Sequence, residues 1–293
     1  MRAVARLLAA LAIALTLLTA ACSRPRPTIE ARPALWRVAD KDTTIWLFGS
    51  IHALPPEVRW QTPEVMRAID AADTLILEIA PADPAEARAA FAASATRFGL
   101  PPLRDRVAAG DRGTLERGIA AAGVAPAALD TLTTWAAALA IGAGAGEGSG
   151  AETGMGVEPV LAARFGGRAI GALETRDGQF RMFDRLPEAA QRRLLMAAAR
   201  DALAPDVGYR RLLTAWATGD EAGLAATLTP LLGDPAIRRS VVIDRNRRWA
   251  GAVVSRLARP GRVFVAVGAG HLVGRESVVA LLRQRGLTVE RVE

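Results

Sequence analysis

The sequence has one cysteine, Cys22, one lysine, Lys41, and two histidines, His52 and His271, in 293 residues. A single thiol cannot close an intrachain disulfide, so a disulfide-stapled scaffold is excluded. Aromatic residues make up only 5% and no nucleic-acid recognition motif is present, so binding to nucleic acid is not expected. Twenty-seven glycines and 17 prolines exclude a long coiled coil, and a 51% hydrophobic content excludes extended disorder. The chain is long enough to bury a sizeable core, as one large domain or one domain plus a helical insertion. Its net charge of +7 is unevenly spread: between residues 238 and 293 there are twelve arginines and four acids, and the rest of the chain is close to neutral. Such basicity reads first as a solvated face, with attraction of an anionic surface or substrate as the alternative.

Residues 1–21 read as a signal peptide. Arg2 and Arg6 precede the apolar stretch from Leu7 to Leu18, and Thr19, Ala20 and Ala21 lead to Cys22. The apolar stretch is shorter than the roughly 20 residues a spanning helix needs. Cys22 sits where a bacterial lipoprotein carries its lipid-acceptor cysteine, which predicts lipidation there; an ordinary secretory signal with Cys22 incidental is the alternative. Ser23 after the cysteine points to the outer membrane, so the periplasmic side of the envelope is the expected location. Residues 22–33, with Pro25, Pro27 and Pro33, read as a stiff tether.

From residue 34 onward, short β-type runs alternate with helical patterns. Strands are expected at 35–38, 43–48, 74–79, 168–173, 262–267 and 287–292, with a hairpin turn at Asp40-Lys41-Asp42. Thr62-Pro63-Glu64 marks a helix start. Helices are also expected at 187–203, 206–217, 235–257 and 275–285, and a large helical insertion at about 83–165. This pattern predicts an α/β fold, with α+β as the alternative: a central mixed sheet flanked by helices, with the domain occupying 34–293. The Gly-rich run 142–150 has G-x-G spacings but follows a helical pattern and lacks lysine, so it reads as a hinge or loop and not as a phosphate loop.

Both histidines occupy the same local setting. Ile45-Trp46-Leu47-Phe48 is followed by Gly49-Ser50-Ile51-His52, and Val263-Phe264-Val265-Ala266-Val267 by Gly268-Ala269-Gly270-His271. Ligands in open α/β sheets collect beyond the carboxyl ends of strands, and Gly49 and Gly268 allow a sharp turn or close approach there. Two imidazoles at one crevice can bind a transition metal or divide acid and base roles; structural histidines are the alternative. Glu78 lies inside the apolar strand Leu75–Ile79, where a carboxylate is costly unless paired. It is therefore a candidate metal ligand or general base, or the partner of an arginine. Glu174, at the end of the 168–173 run, is a second carboxylate at the crevice or a helix-capping residue. Arg245 shares a helix face with Trp249 and could hold an oxyanion or form an ion pair. Glu158 reads most simply as a first-turn helix acid.

Taken together, Gly49-Ser50-Ile51-His52, Leu77-Glu78, Gly171-Ala172-Leu173-Glu174-Thr175, Asp244-Arg245-Asn246 and Gly268-Ala269-Gly270-His271-Leu272 resemble the TraB/GumN family, which includes the animal Tiki proteins. The resemblance implies a Tiki-like fold and an active-site core of His52, Glu78 and His271, supported by Arg245 and Asn246. Tiki proteins are peptidases that work with manganese or cobalt. The expected cofactor is therefore a divalent transition metal (manganese, cobalt or zinc) on His52, Glu78 and His271, and the expected substrate a peptide or protein in the envelope. Related proteins also include erythromycin esterase-like hydrolases and a haem-binding lipoprotein. These supply two alternatives: metal-independent hydrolysis with His52 as base, or capture of haem, metal or peptide without turnover. Many relatives carry an acid at the third position of a Gly–hydrophobic–Asp segment, where this chain has Gly154-Met155-Gly156.

Overall fold

A computed structural model describes residues 27–148 and 153–293. The expected signal peptide, Cys22 and the first part of the tether lie outside the described residues, as do residues 149–152, which include the last two positions of the Gly-rich run. The strands are β1 (Ile29–Glu30), β2 (Leu35–Ala39), β3 (Thr43–Ser50), β4 (Val58–Arg59), β5 (Thr74–Ile79), β6 (Ala169–Glu174), β7 (Gly261–Gly268) and β8 (Val289–Arg291). Six of them form one sheet in the order β6-β5-β7-β3-β2-β8, flanked by helices, as an α/β fold requires. Strands β6, β5, β7 and β3 run parallel, whereas β2 is antiparallel to both β3 and β8. The β2–β3 hairpin closes on an Asp-centred turn, where Asp40 Oδ1 accepts the N–H groups of Asp42 (3.1 Å) and Thr43 (2.8 Å).

Register decides what the sheet can do. Strands β3 and β7 pair along their whole length, from Thr43 opposite Gly261 to Ser50 opposite Gly268. The two Gly-x-x-His segments therefore leave adjacent parallel strands at the same end. Strand β5 flanks β7 on the other side, bringing Glu78 to that same end. What holds these strands is burial: Ile45, Leu47, Phe48, Leu75, Leu77, Val263, Phe264 and Ala266 are all essentially inaccessible. The Phe48 ring stands 5.5 Å from Trp60 and 5.8 Å from Phe264, fastening β3 to β7 and to the segment after β4.

Between β5 and β6 the chain forms the helices Pro84–Ala95, Arg112–Ala121, Pro126–Asp130, Thr134–Gly148 and Val157–Arg164. The first four join Glu188–Ala202 around a second apolar cluster that includes Leu115, Trp135, Ile141 and Leu195. The Gly-rich run departs from its expected loop: residues up to Gly148 continue the helix Thr134–Gly148. Small residues serve close helix packing there, because a Cβ on Gly144 would stand 2.4 Å from the Ala122 carbonyl oxygen. The folded part also begins before residue 34. Ile29–Glu30 pairs with Val58–Arg59 and Ala31 is buried, so the end of the expected tether belongs to the domain.

Candidate functional site

Two glycines shape the carboxyl ends of β3 and β7. A Cβ on Gly49 would stand 3.0 Å from Ala269, in the turn that leads to His271. The Gly49 carbonyl is held by Trp216 Nε1 at 2.7 Å. Gly268 donates its N–H to Glu78 Oε1 at 2.6 Å, and a Cβ there would come within 3.1 Å of the same oxygen. Each glycine is used for close approach, one to the neighbouring turn and one to a carboxylate.

Arg245 organises the buried half of the site. The helix Asp244–Leu257 carries its side chain, only 5% exposed, between two carboxylates that are each 10% exposed. Its Nη2 donates to Glu78 Oε2 at 2.7 Å and its Nε to Glu174 Oε2 at 3.0 Å. Trp249, one turn along, stacks under the guanidinium at 4.5 Å and gives its Nε1–H to Glu174 Oε1 at 3.1 Å. Glu174 also accepts from the exposed Arg248 at 2.9 Å. Helix capping at this point is done by Thr175, whose side chain accepts from Gly178 N, and not by Glu174.

The hydrogen-bond chain through His271 fixes its tautomer. Asn246 Nδ2 donates to the Glu276 carbonyl at 2.8 Å, so Asn246 Oδ1 faces His271 Nδ1 at 2.7 Å and must accept from it. That leaves His271 Nε2 as an acceptor, and Arg245 Nη1, which can only donate, lies 3.0 Å away. The imidazole is therefore neutral. Burial pushes its pKa down to about 4, with the Arg245 charge adding to the effect against the opposing pull of Glu78. Burial likewise opposes the charged form of Glu78, but Arg245 and the Gly268 N–H hold its carboxyl below the usual range.

His52 makes up a second, open half. Its side chain is 70% exposed, and Nδ1 contacts Glu158 Oε1 at 2.7 Å. Ser50 Oγ donates to the same Glu158 oxygen at 2.6 Å, while Glu158 Oε2 is buried without a partner. The Glu158 hydrogen bond pushes the His52 pKa up to about 9, with the charge of Glu78 helping and that of Arg245 opposing. For Glu158, burial raises the carboxyl and the bonds from His52 and Ser50 more than offset it, leaving its pKa lowered. Sequence reasoning placed Glu158 correctly in the first turn of Val157–Arg164 but missed this pairing. Residues 52 and 158 share no local pattern, and the one signal that could have singled out Glu158 is that Gly156-Val157-Glu158 itself reads Gly–hydrophobic–acid.

The structure thus brings His52, Glu78, His271, Arg245, Glu174 and Asn246 to one end of the sheet, but His52, Glu78 and His271 do not converge as metal ligands. Among the described residues, no group of three His, Cys, Asp or Glu side chains is placed to hold a metal ion. Glu78 spends one oxygen on Arg245 and the other on Gly268, the His271 lone pair faces the same guanidinium, and His52 engages Glu158. A divalent ion would have to displace a buried monovalent cation, so the donors as arranged do not fit the expected manganese, cobalt or zinc.

What the arrangement can do follows from its charges. Arg245 is a fixed cation neutralised by two carboxylates, and His52 is a carboxylate-backed imidazole open to solvent. Comparison with known proteins found no curated protein and no solved structure that matches the chain. A family model does match, over residues 34–291, and takes in all of these side chains. The chain belongs to the TraB/PrgY/gumN family.

Proposed function

We propose that this chain is a hydrolase of the cell envelope that cleaves an acyl bond, foremost a peptide amide, with His52 as general base and no resident metal. One observation carries the reading: an exposed imidazole whose Nδ1 is held on a buried carboxylate oxygen at 2.7 Å. With Nδ1 so engaged, Nε2 is the nitrogen available to a water molecule. It takes the water's proton as the oxygen bonds to the carbonyl carbon, and the C=O π electrons move onto the carbonyl oxygen. Collapse of that tetrahedral centre breaks the bond to the leaving amine or alkoxide, which recovers the proton from Nε2. Glu158 stabilises the imidazolium between these steps, and such catalysis contributes on the order of 10²–10⁴-fold in rate. At His52 the charge of Glu78 favours the imidazolium and that of Arg245, locked by Glu78 and Glu174, opposes it.

Preference for a peptide or protein substrate rests on the likeness to Tiki peptidases, and placement in the envelope rests on residues 1–22. A lipid on Cys22 would tether the domain to the outer membrane; among the described residues no helix is long and apolar enough to cross a membrane.

The deciding experiment incubates the purified protein with a diverse peptide mixture and an ester panel and reads products by mass spectrometry. It is run with chelator and with added manganese, cobalt or zinc, beside His52→Ala and Glu158→Gln. Products in chelator that vanish with His52→Ala support the proposal. Products that need added metal would replace the metal-free step with the metal-dependent one. Absence of product in every arm would sink the hydrolase reading.

A further inference from the structure

The seating of the helix Val157–Arg164 on the His52 loop depends on one glycine. Gly156 caps that helix with φ −61° and ψ 165°, ordinary extended backbone that any residue adopts. Torsion therefore does not call for glycine here, but space does. A Cβ at 156 would stand 2.0 Å from the His52 carbonyl oxygen, 2.5 Å from its carbonyl carbon and 3.2 Å from its Cα. These are backbone atoms, which cannot rotate aside as the end of a flexible side chain can. The next residue, Val157, is fully buried and donates its N–H to the Ile51 carbonyl at 3.0 Å. One residue further, Glu158 meets His52 Nδ1. Residues 156, 157 and 158 thus dock on residues 51 and 52 by a bare backbone contact, a backbone hydrogen bond and a carboxylate–imidazole pair in succession.

We infer that Gly156 is a positioning residue of the site: its missing side chain lets the first turn of 157–164 rest directly on the His52 peptide, and this contact delivers Glu158 to the imidazole. The inference takes its functional meaning from the hydrolase reading, but its structural content stands on the contact alone. A methyl group at 156 forces the two backbones apart by on the order of an ångström before it reaches ordinary van der Waals distance. A 2.7 Å hydrogen bond stretched by that much passes the roughly 3.6 Å at which it ceases to be one.

Because the chain has just two histidines, nitrogen-15-labelled histidine gives a spectrum with two imidazole systems. In the native protein both have Nδ1 on a side-chain oxygen, His52 on Glu158 and His271 on Asn246. Gly156→Ala is expected to abolish the hydrogen-bonded Nδ1–H signature of His52 and to leave that of His271 in place as an internal control of folding. Both signatures at their native positions would overturn the inference. Should Gly156→Ala lose both signals, Val157→Pro takes its place. Proline suits the first turn of a helix and removes the N–H that Ile51 accepts. Loss of the His52 signature alone again supports the inference, and a native spectrum overturns it. Hydrolysis measured on the same samples separates the two claims: if the His52 pairing is lost and activity is undiminished, the positioning role stands and the hydrolase reading fails.

Discussion

Replacing Arg245 by methionine tests the buried half of the site most directly. The guanidinium partners Glu78 at 2.7 Å, Glu174 at 3.0 Å and His271 at 3.0 Å. Its loss falls unequally on the two acids. Glu174 keeps Arg248 and the Trp249 N–H, whereas Glu78 keeps only the Gly268 N–H on one oxygen. Glu78 becomes an uncompensated buried carboxylate, a change that typically costs about 3–5 kcal/mol. For a domain of this size that corresponds to a fall in Tm of roughly 6–20 °C. The loss should also depend on pH with a definite sign. In the variant, Glu78 has a folded pKa above its unfolded value, so the protonated acid is tolerated below the unfolded pKa and stability is lost as pH rises through the folded one. Urea denaturation at pH 8 and pH 5 should therefore show a larger deficit relative to wild type at pH 8. Adding Glu78→Gln to Arg245→Met should recover part of it. An Arg245→Met variant within about 1 kcal/mol of wild type at pH 8, or a double variant less stable than the single, would refute the orphaned-carboxylate argument.

Other outcomes follow from the same geometry. Since His52 must be neutral to act as base and its pKa lies at about 9, kcat/KM of the proposed reaction should climb with pH toward 9. Glu158→Gln should shift that limb to lower pH, and a rate independent of pH between 6 and 9 would contradict the assignment. His271 titrates at about 4 when folded and near 6.5 when unfolded. The unfolded chain therefore binds the extra proton, and this group removes about 3 kcal/mol of stability as pH falls from 6.5 to 4, an amount that denaturation of wild type against His271→Asn should reveal as a difference in acid sensitivity. Phe48→Ala empties a fully buried site between Trp60 and Phe264 and should cost about 3–5 kcal/mol by urea denaturation with the slope unchanged.

Much of this molecule is legible in its sequence because its signals are local. Continuous apolar runs at 45–48 and 263–267 lie in central parallel strands, and Thr62-Pro63 starts a helix with the Thr62 side chain accepting from Val65 N. Polarity out of place marked Glu78: a carboxylate in an apolar strand needs a partner, and Arg245 is that partner. The repeated Gly-x-x-His pattern likewise places two imidazoles at one end of the sheet, because parallel neighbours in register must end together. Less legible was the Gly-rich helix 134–148, where the small residues that weaken a helix in isolation are the ones that let it pack against Ala122.

Which groups touch was not decided locally. The two histidines are equivalent in sequence, yet His271 is buried, neutral and bound between Asn246 and Arg245, while His52 is open and paired with Glu158. Hydrogen bonds act over about 3 Å, and a sequence pattern carries no information at that scale about residues 106 or 167 positions apart. The sequence alone determined the six strands of the main sheet, the family and the short list of reactive side chains, since periodicity, turn chemistry and misplaced polarity are properties of neighbours along the chain. Tertiary structure alone decided that an arginine stands among the donors expected to hold a metal, and that Glu158 belongs to the site, because those facts depend on packing between segments brought together only by folding.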